Sequence, residues 1–335
     1  MITLQTHKKL IFIMLVAILL FTSCSASAPA LLIGNSPVDD EVYAYFLNSV
    51  IDKKGKKTSS EIIIDATEGV RYYVKVNTSA AKRGIILSPS EKTELSERLS
   101  DFWAVYGNYY NKIGISKQTV HKIFESEAYE TSLLKAYYGE GGQNQASEED
   151  VLSCLNKYFI VFKSINGYFT ETKENGEISE LSELDKELLT ADYEKAAKQI
   201  SDGELTFEAA ASRLSRNHIG NAPETVVLKR GSPYYPGSFF DEVAAAKADT
   251  AIVVVCEKNV FLVIKESIEV GSDYFTDNYL YALRKLKGEE LKSLIASESS
   301  YQANVFQSKA ESIYNRIIKT KGGNDCCFAL FAKHF

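Results

Sequence analysis

Apolar positions along most of the chain recur at three- and four-residue spacing, the period of a helix with one buried stripe. Val38, Val42, Tyr45, Phe46 and Val50 predict a first helix, with Ser36 as cap, Pro37 in the first turn and Asp39 as an early acid. Lys53–Ser60 is polar and reads as a loop. Ile62–Ile64 then opens a second helix, which Tyr72, Val76 and Ala80 carry to Lys82. Ser88-Pro89-Ser90-Glu91 supplies a cap, a first-turn proline and the acid of a capping box. Behind it Leu95, Leu99, Phe102, Tyr106, Tyr109 and Ile113 make the clearest helical stripe of the sequence. Gly114-Ile115-Ser116 breaks that stripe, Val120, Ile123, Phe124 and Leu134 resume it as far as Tyr138, and Ser147 caps a further helix through Cys154.

At Lys157 the period changes. Tyr158–Ile165 is aromatic and β-branched and predicts a strand. Glu171–Glu187 reads as a loop or a weak helix, and Tyr193–Ile200 as a helix ended by Gly203. Thr206 opens a short helix through Phe207, Ala210, Ala211 and Leu214, and Asn221–Ser238 gathers turn formers. Phe239–Ala246 predicts a helix, Ala251–Cys256 and Val260–Ile264 two strands around a tight turn, and Tyr274–Leu294 and Gln302–Ile318 closing helices. Helices followed by a short mixed unit predict an α+β protein with a separate all-α domain.

Composition narrows the function. The 335 residues carry 44 acidic and 38 basic side chains, a net charge of −6. That balance argues against nucleic acid as partner, because phosphate binding wants clustered Lys and Arg. No Cys-x-x-Cys spacing suggests a metal, and Gly139–Gln145 lacks the preceding strand and the lysine of a phosphate loop. Cys154 and Cys256 read as buried free thiols, while Cys326 and Cys327 fall in a tail for which no function is evident. Tyr and Phe are plentiful, at 20 and 17. Adjacent helix residues sit about 100° apart. The pairs Tyr72-Tyr73, Tyr109-Tyr110 and Tyr137-Tyr138 are therefore expected to leave some rings exposed.

Residues 1–23 read as an export signal: His7, Lys8 and Lys9 precede the apolar run Leu10–Phe21, too short to span a bilayer. Phe21-Thr22-Ser23-Cys24 resembles the lipobox of bacterial lipoproteins, with Phe21 where leucine is usual, and implies lipidation of Cys24. The alternative is an ordinary secretory signal cut near Ala26 or Ala28.

Three junctions come in a telling order: Gly84-Ile85-Ile86-Leu87-Ser88-Pro89-Ser90-Glu91, Gly114-Ile115-Ser116, and Ser147-Glu148-Glu149-Asp150. The segment Gly203-Glu204-Leu205-Thr206-Phe207-Glu208-Ala209-Ala210-Ala211-Ser212-Arg213-Leu214-Ser215 follows, then Phe239–Ala244 and the hairpin-like Ala251–Lys265. In that order they resemble exported parvulin-type foldases of the PrsA and SurA kind, over residues 36–318. The resemblance implies a signal (1–23), a linker (24–35) and a helical chaperone-like domain (36–156). It then implies a parvulin-like domain with a four-stranded antiparallel sheet (157–268), helices returning onto the first domain (269–320), and a tail (321–335). It implies unfolded exported polypeptides as partners, attachment through lipid to the extracytoplasmic face of the cell membrane, and no cofactor or metal; a homodimer stays open.

The same comparison weakens the enzymatic reading. Lys163 stands where the family's first strand carries histidine, Leu262 where its last strand does, and Asn217, beside His218, where a central acid or cysteine is usual. A rotamase lowers the roughly 18–20 kcal/mol barrier of a prolyl bond by gripping the ring and favouring the twisted amide. A pocket of Tyr235, Phe239, Phe240 and Leu262 would still grip proline, but its polar network is gone. The resemblance therefore implies a chaperone with weak or absent isomerase activity. A working isomerase is the alternative. A solute-binding or scaffold lipoprotein is less favoured, since the strand-helix alternation of a parallel sheet is missing.

Overall fold

A computed structural model describes residues 28–52, 57–214, 224–298 and 300–322. The signal, Cys24, Asn217, His218, Cys326 and Cys327 lie outside the described residues. The described residues open with two short strands, β1 (Leu31–Ile33) and β2 (Ser36–Pro37). Four helices follow: α1 (Asp40–Asp52), α2 (Ser59–Lys82), α3 (Pro89–Lys112) and α4 (Lys117–Tyr138). Helix α5 (Glu148–Tyr158) leads into β3 (Phe159–Tyr168), the small hairpin β4 (Thr170–Thr172) and β5 (Ile178–Glu180), and helices α6 (Glu183–Ser201) and α7 (Phe207–Leu214). Then come β6 (Val226–Lys229), α8 (Phe239–Ala245), β7 (Ala251–Val255) and β8 (Asn259–Glu266). Helix α9 (Asp273–Ser297), β9 (Ala303–Val305) and α10 (Gln307–Gly322) close the described chain, which is α+β.

These elements form two compact units. One joins the chain up to Lys135 with the chain from Glu290 onward; the other is Ala136–Glu289. Residues 136–156 and 269–289 therefore cluster with the sheet, and the chain from 290 onward with the N-terminal helices.

In the first unit α1 to α4 and α10 share one core, in which Tyr43, Leu47, Ile62, Val70, Ile113, Ile313 and Ile317 are buried together. Capping explains where the long helices begin. Ser88 and Glu91 form the reciprocal box expected from the sequence, and Thr58 and Glu61 form another inside the stretch expected to be loop. Ser36 and Pro37 are not the start of α1. They pair with β1 as strand, and Asp39 takes the capping role, its carboxylate accepting the Glu41 N–H at 3.0 Å. Residues 303–305, expected to be helix, form β9 and pair antiparallel with β1, so α10 begins at Gln307.

The second unit is built on an antiparallel sheet in the order β6-β3-β8-β7. Reading the residues one by one finds three of its strands; β6 lies within the stretch of turn formers. Along β3 and β8 successive side chains alternate faces. Ile165, Val260 and Leu262 enter a core with Tyr193 and Ala196 of α6 and Phe207 and Ala210 of α7. Phe162, Phe261 and Val263 enter the other core, with Phe239, Phe240 and Val243 of α8. Glu171–Glu187 resolves into the β4–β5 hairpin, turned at Gly176 with φ +82°, and the start of α6 under a Ser182 cap.

Candidate functional site

Helix α8 is short and lacks a side-chain cap at its N-terminus. Burial of Phe239, Phe240 and Val243 seats it, and the Lys265 ammonium holds its far end by donating to the carbonyls of Ala244 (2.7 Å) and Ala246 (3.2 Å). Burial lowers the pKa of that ammonium.

Under α8 four rings meet. Phe239 lies 5.2 Å from Phe162, 4.9 Å from Phe261 and 4.6 Å from Tyr235, centroid to centroid. Such tilted and edge-on pairs are the favoured aromatic geometries. Phe162 and Phe239 are fully buried; Tyr235 is half-buried, and its neighbour Tyr234 is 88% exposed. Burial pushes the Tyr235 hydroxyl above its ordinary pKa, opposed by a hydrogen bond shared with Ser164. Cys256 edges the same core, its thiol pushed up by burial and by the charge of Glu242. On the rim Arg230 lies 4.2 Å over the Phe240 ring and pairs with Asp241 at 2.5 Å.

Of the residues expected in the pocket, Tyr235, Phe239 and Phe240 come together and two do not. Leu262 is fully buried on the opposite face, directly across from Ile165 in the ladder. Lys163 shares that opposite face by strand alternation; it is partly exposed, with its ammonium 3.4 Å from Glu266. A one-residue slip along a strand exchanges its faces, which is how Leu262 was matched to the aromatic side. The positions that do reach that side are Phe162 and Ser164 on β3 and Phe261 and Val263 on β8. The apolar run of β8 marks both faces as buried, and the register with β3 decides which residues turn to α8. Chemically, this face offers rings, two hydroxyls and a thiol. It can hold an apolar side chain; of the carboxylates on its rim, Asp241 is paired with Arg230 and Glu242 acts on Cys256, and no described imidazole joins them.

Of the three adjacent aromatic pairs, Tyr72-Tyr73 and Tyr109-Tyr110 keep partly exposed rings as expected, and Tyr137-Tyr138 does not. Tyr109 is buried, its hydroxyl donating to Asn48 at 2.6 Å, while Tyr110 stays half-buried, 5.2 Å from Phe102 and 6.0 Å from Tyr45. Tyr137 and Tyr138, in the second unit, are both buried, with their rings 5.9 Å apart. Adjacency alone does not force a ring outward: two neighbours 100° apart fit into one wide buried face. Half-exposed rings remain at Tyr45, Phe46, Tyr73, Trp103 and Tyr106.

Among the described residues no helix is long and apolar enough to cross a membrane, and no three His, Cys, Asp or Glu gather as a metal would need. No family model matches the chain, and no curated protein does. Several solved structures are similar across most of its length. The foldase protein PrsA of Lactococcus lactis matches 87% of this chain and 99% of its own at 12% identity, with a TM-score of 0.36. For PrsA of Streptococcus pneumoniae the shares are 85% and 91%, at 12% identity and a TM-score of 0.30. For PrsA of Bacillus subtilis they are 78% and 84%, at 12% and 0.25. Overlap at this level assigns no residue a role.

Proposed function

We propose that this chain is a folding chaperone of the cell envelope. Lipid on Cys24 holds it at the extracytoplasmic face of the membrane, where it binds unfolded exported polypeptides. Its parvulin-like domain, built on the four-stranded sheet within residues 157–268, has weak or no isomerase activity, and the helical unit up to Lys135 is completed by the chain from Glu290 onward. The observation that carries this reading is the α8 face of the sheet. Phe162, Phe239 and Phe261 fill it against one another, where a rotamase needs room for a prolyl ring and hydrogen bonds to the twisting amide. A face of this kind supports apolar contact and offers little to favour one amide geometry over another.

The test is refolding of a model protein limited by a proline isomerisation, with the exported chain from Ser25 added. The expected result is an unchanged refolding rate together with suppressed aggregation at stoichiometric amounts. A rate rising in proportion to the added chain overturns the loss of activity. One observation favours that second reading: Tyr235 stands against Phe162, Phe239 and Phe261, and strand alternation sets Ser164 on the same face, so two hydroxyls accompany the rings. If the rate does rise, Tyr235→Phe should abolish the rise. A solute receptor is disfavoured because the sheets formed by the described residues are antiparallel throughout.

A further inference from the structure

The sheet of the second unit ends in two edges of different chemistry. On one, β6 carries Lys229 and is followed by Arg230. Charged side chains are a common guard against pairing with a stray chain. On the other, β7 reads Ala251-Ile252-Val253-Val254-Val255, without a charge, proline or glycine. Packing against the two cores accounts for Ala251, Ile252, Val253 and Val254, but Val255 is 49% exposed and carries no guard.

The hairpin fixes which main-chain groups of β7 are spoken for. The Cys256 N–H donates to the Asn259 carbonyl at 2.8 Å across the turn Glu257-Lys258. Bonded pairs alternate in an antiparallel ladder, so Val254 bonds Phe261 and Ile252 bonds Val263 on β8. Ala251, Val253 and Val255 therefore turn their N–H and C=O groups to the outside, and among the described residues no backbone partner takes them up. Three evenly spaced donor and acceptor pairs, flanked by β-branched side chains, make a template for one more strand.

We propose that this edge captures an extended apolar segment of an unfolded polypeptide by strand addition. The inference rests on the chaperone reading above and adds the place and geometry of capture. Main-chain hydrogen bonds supply the grip in this mode, so it is tolerant of sequence, and alternate side chains lie on the two faces of the sheet. A second copy of the chain fits the edge poorly. Antiparallel self-pairing about Val253 would set Asp249 of each copy toward Glu257 of the other, both exposed acids, and like charges across a ladder repel. A five-residue edge, about 17 Å long, also offers far less than the roughly 800 Å² per partner of a stable complex. Brief capture of a passing chain asks for neither symmetry nor large area.

The experiment uses the full chain and a short fluorescein-labelled peptide of alternating valine and threonine, read by anisotropy. Saturable binding is expected. Val253→Pro removes an N–H that the sheet does not use, a position where an edge tolerates proline, and Val255→Lys adds the missing guard. Each should weaken binding at least tenfold; Val255→Lys, at an exposed position, should leave the unfolding midpoint unchanged, while Val253→Pro lowers it through lost packing and stays folded at the temperature of the assay. Hydrogen exchange on the unsubstituted chain is the second measurement, and it decides alone if either variant fails to fold. The peptide should slow the amides of Ala251, Val253 and Val255, and leave the already slow Ile252 and Val254 as they were. Unaltered binding in both folded variants, or no slowing at the three outward amides, overturns the proposal. So does a dimer in sedimentation that the edge variants dissociate without any peptide binding. If the chain suppresses aggregation and its edge variants do so equally, the edge is wrong and the chaperone reading stands. If the chain neither suppresses aggregation nor binds the peptide, the chaperone reading itself has failed.

Discussion

Gly167 lies on β3 where the strand passes Tyr193 of α6. A Cβ at this position would stand 2.7 Å from the tyrosine hydroxyl and 2.9 Å from the ring carbon that bears it. Tyr193 is fully buried, its hydroxyl has no hydrogen-bond partner among the described residues, and burial drives its pKa upward. A buried polar group left unsatisfied carries a desolvation cost of about 1–3 kcal/mol. Tyr193→Phe should therefore be neutral or stabilising, where loss of a buried hydroxyl usually costs stability. Gly167→Ala should destabilise by about 1–3 kcal/mol through overpacking, and adding Tyr193→Phe should recover part of that loss, as read by urea unfolding. The apolar face of α6 was legible in the sequence, because Tyr193, Ala196 and Ala197 fall at helical spacing. The close approach of Gly167 to Tyr193 was not, since it depends on a strand and a helix brought together only by the fold.

At the scale of elements, what begins a helix matters as much as what it buries. Helix α4 starts at Lys117; the Ser116 hydroxyl caps it by accepting from the Thr119 N–H at 3.2 Å, and a side chain from α1 holds that cap in place. The Glu41 carboxylate accepts from the Ser116 N–H (2.8 Å), the Ser116 hydroxyl (2.5 Å) and the Thr119 hydroxyl (2.6 Å). Burial raises the Glu41 pKa, but the hydrogen bonds from Ser116 and Thr119 and the charge of Lys122 together bring it below its ordinary 4.5. A carboxyl depressed on folding stabilises the fold above its unfolded pKa, and that contribution fades as pH falls through the folded value. Glu41→Gln should cost about 1–2 kcal/mol at neutral pH. The gap between parent and variant should narrow below pH 4.5, as seen in unfolding curves across pH. Gly114-Ile115-Ser116 announced this junction in the sequence, whereas its partner, 75 positions away, left no local sign. The same limit applies at the aromatic face. Alternation along β8 identified a strand buried on both sides, and only the register with β3 shows that Phe261, not Leu262, faces α8.

At the scale of the molecule, the first unit is made from both ends of the chain with the second unit inserted between them. Its core needs Ala310, Ile313 and Ile317 of α10. Removing the chain from Gln307 onward should unfold the first unit and spare the sheet of the second. The single tryptophan, Trp103, belongs to the first unit, so its emission should shift to that of a solvent-exposed indole while strand signal persists in circular dichroism. A milder version, Ile317→Ala, should cost about 2–5 kcal/mol. The closure also has a mechanical side. β1 and β9 run antiparallel, with Leu31 beside Val305 and the Phe306 N–H donating to the Ala30 carbonyl at 3.0 Å, so both strands reach the chain ends from the same end of the ladder. Tension between the termini would then peel those bonds one at a time, like a zipper, instead of loading them together in shear. A clasp of this kind yields bond by bond to a light pull.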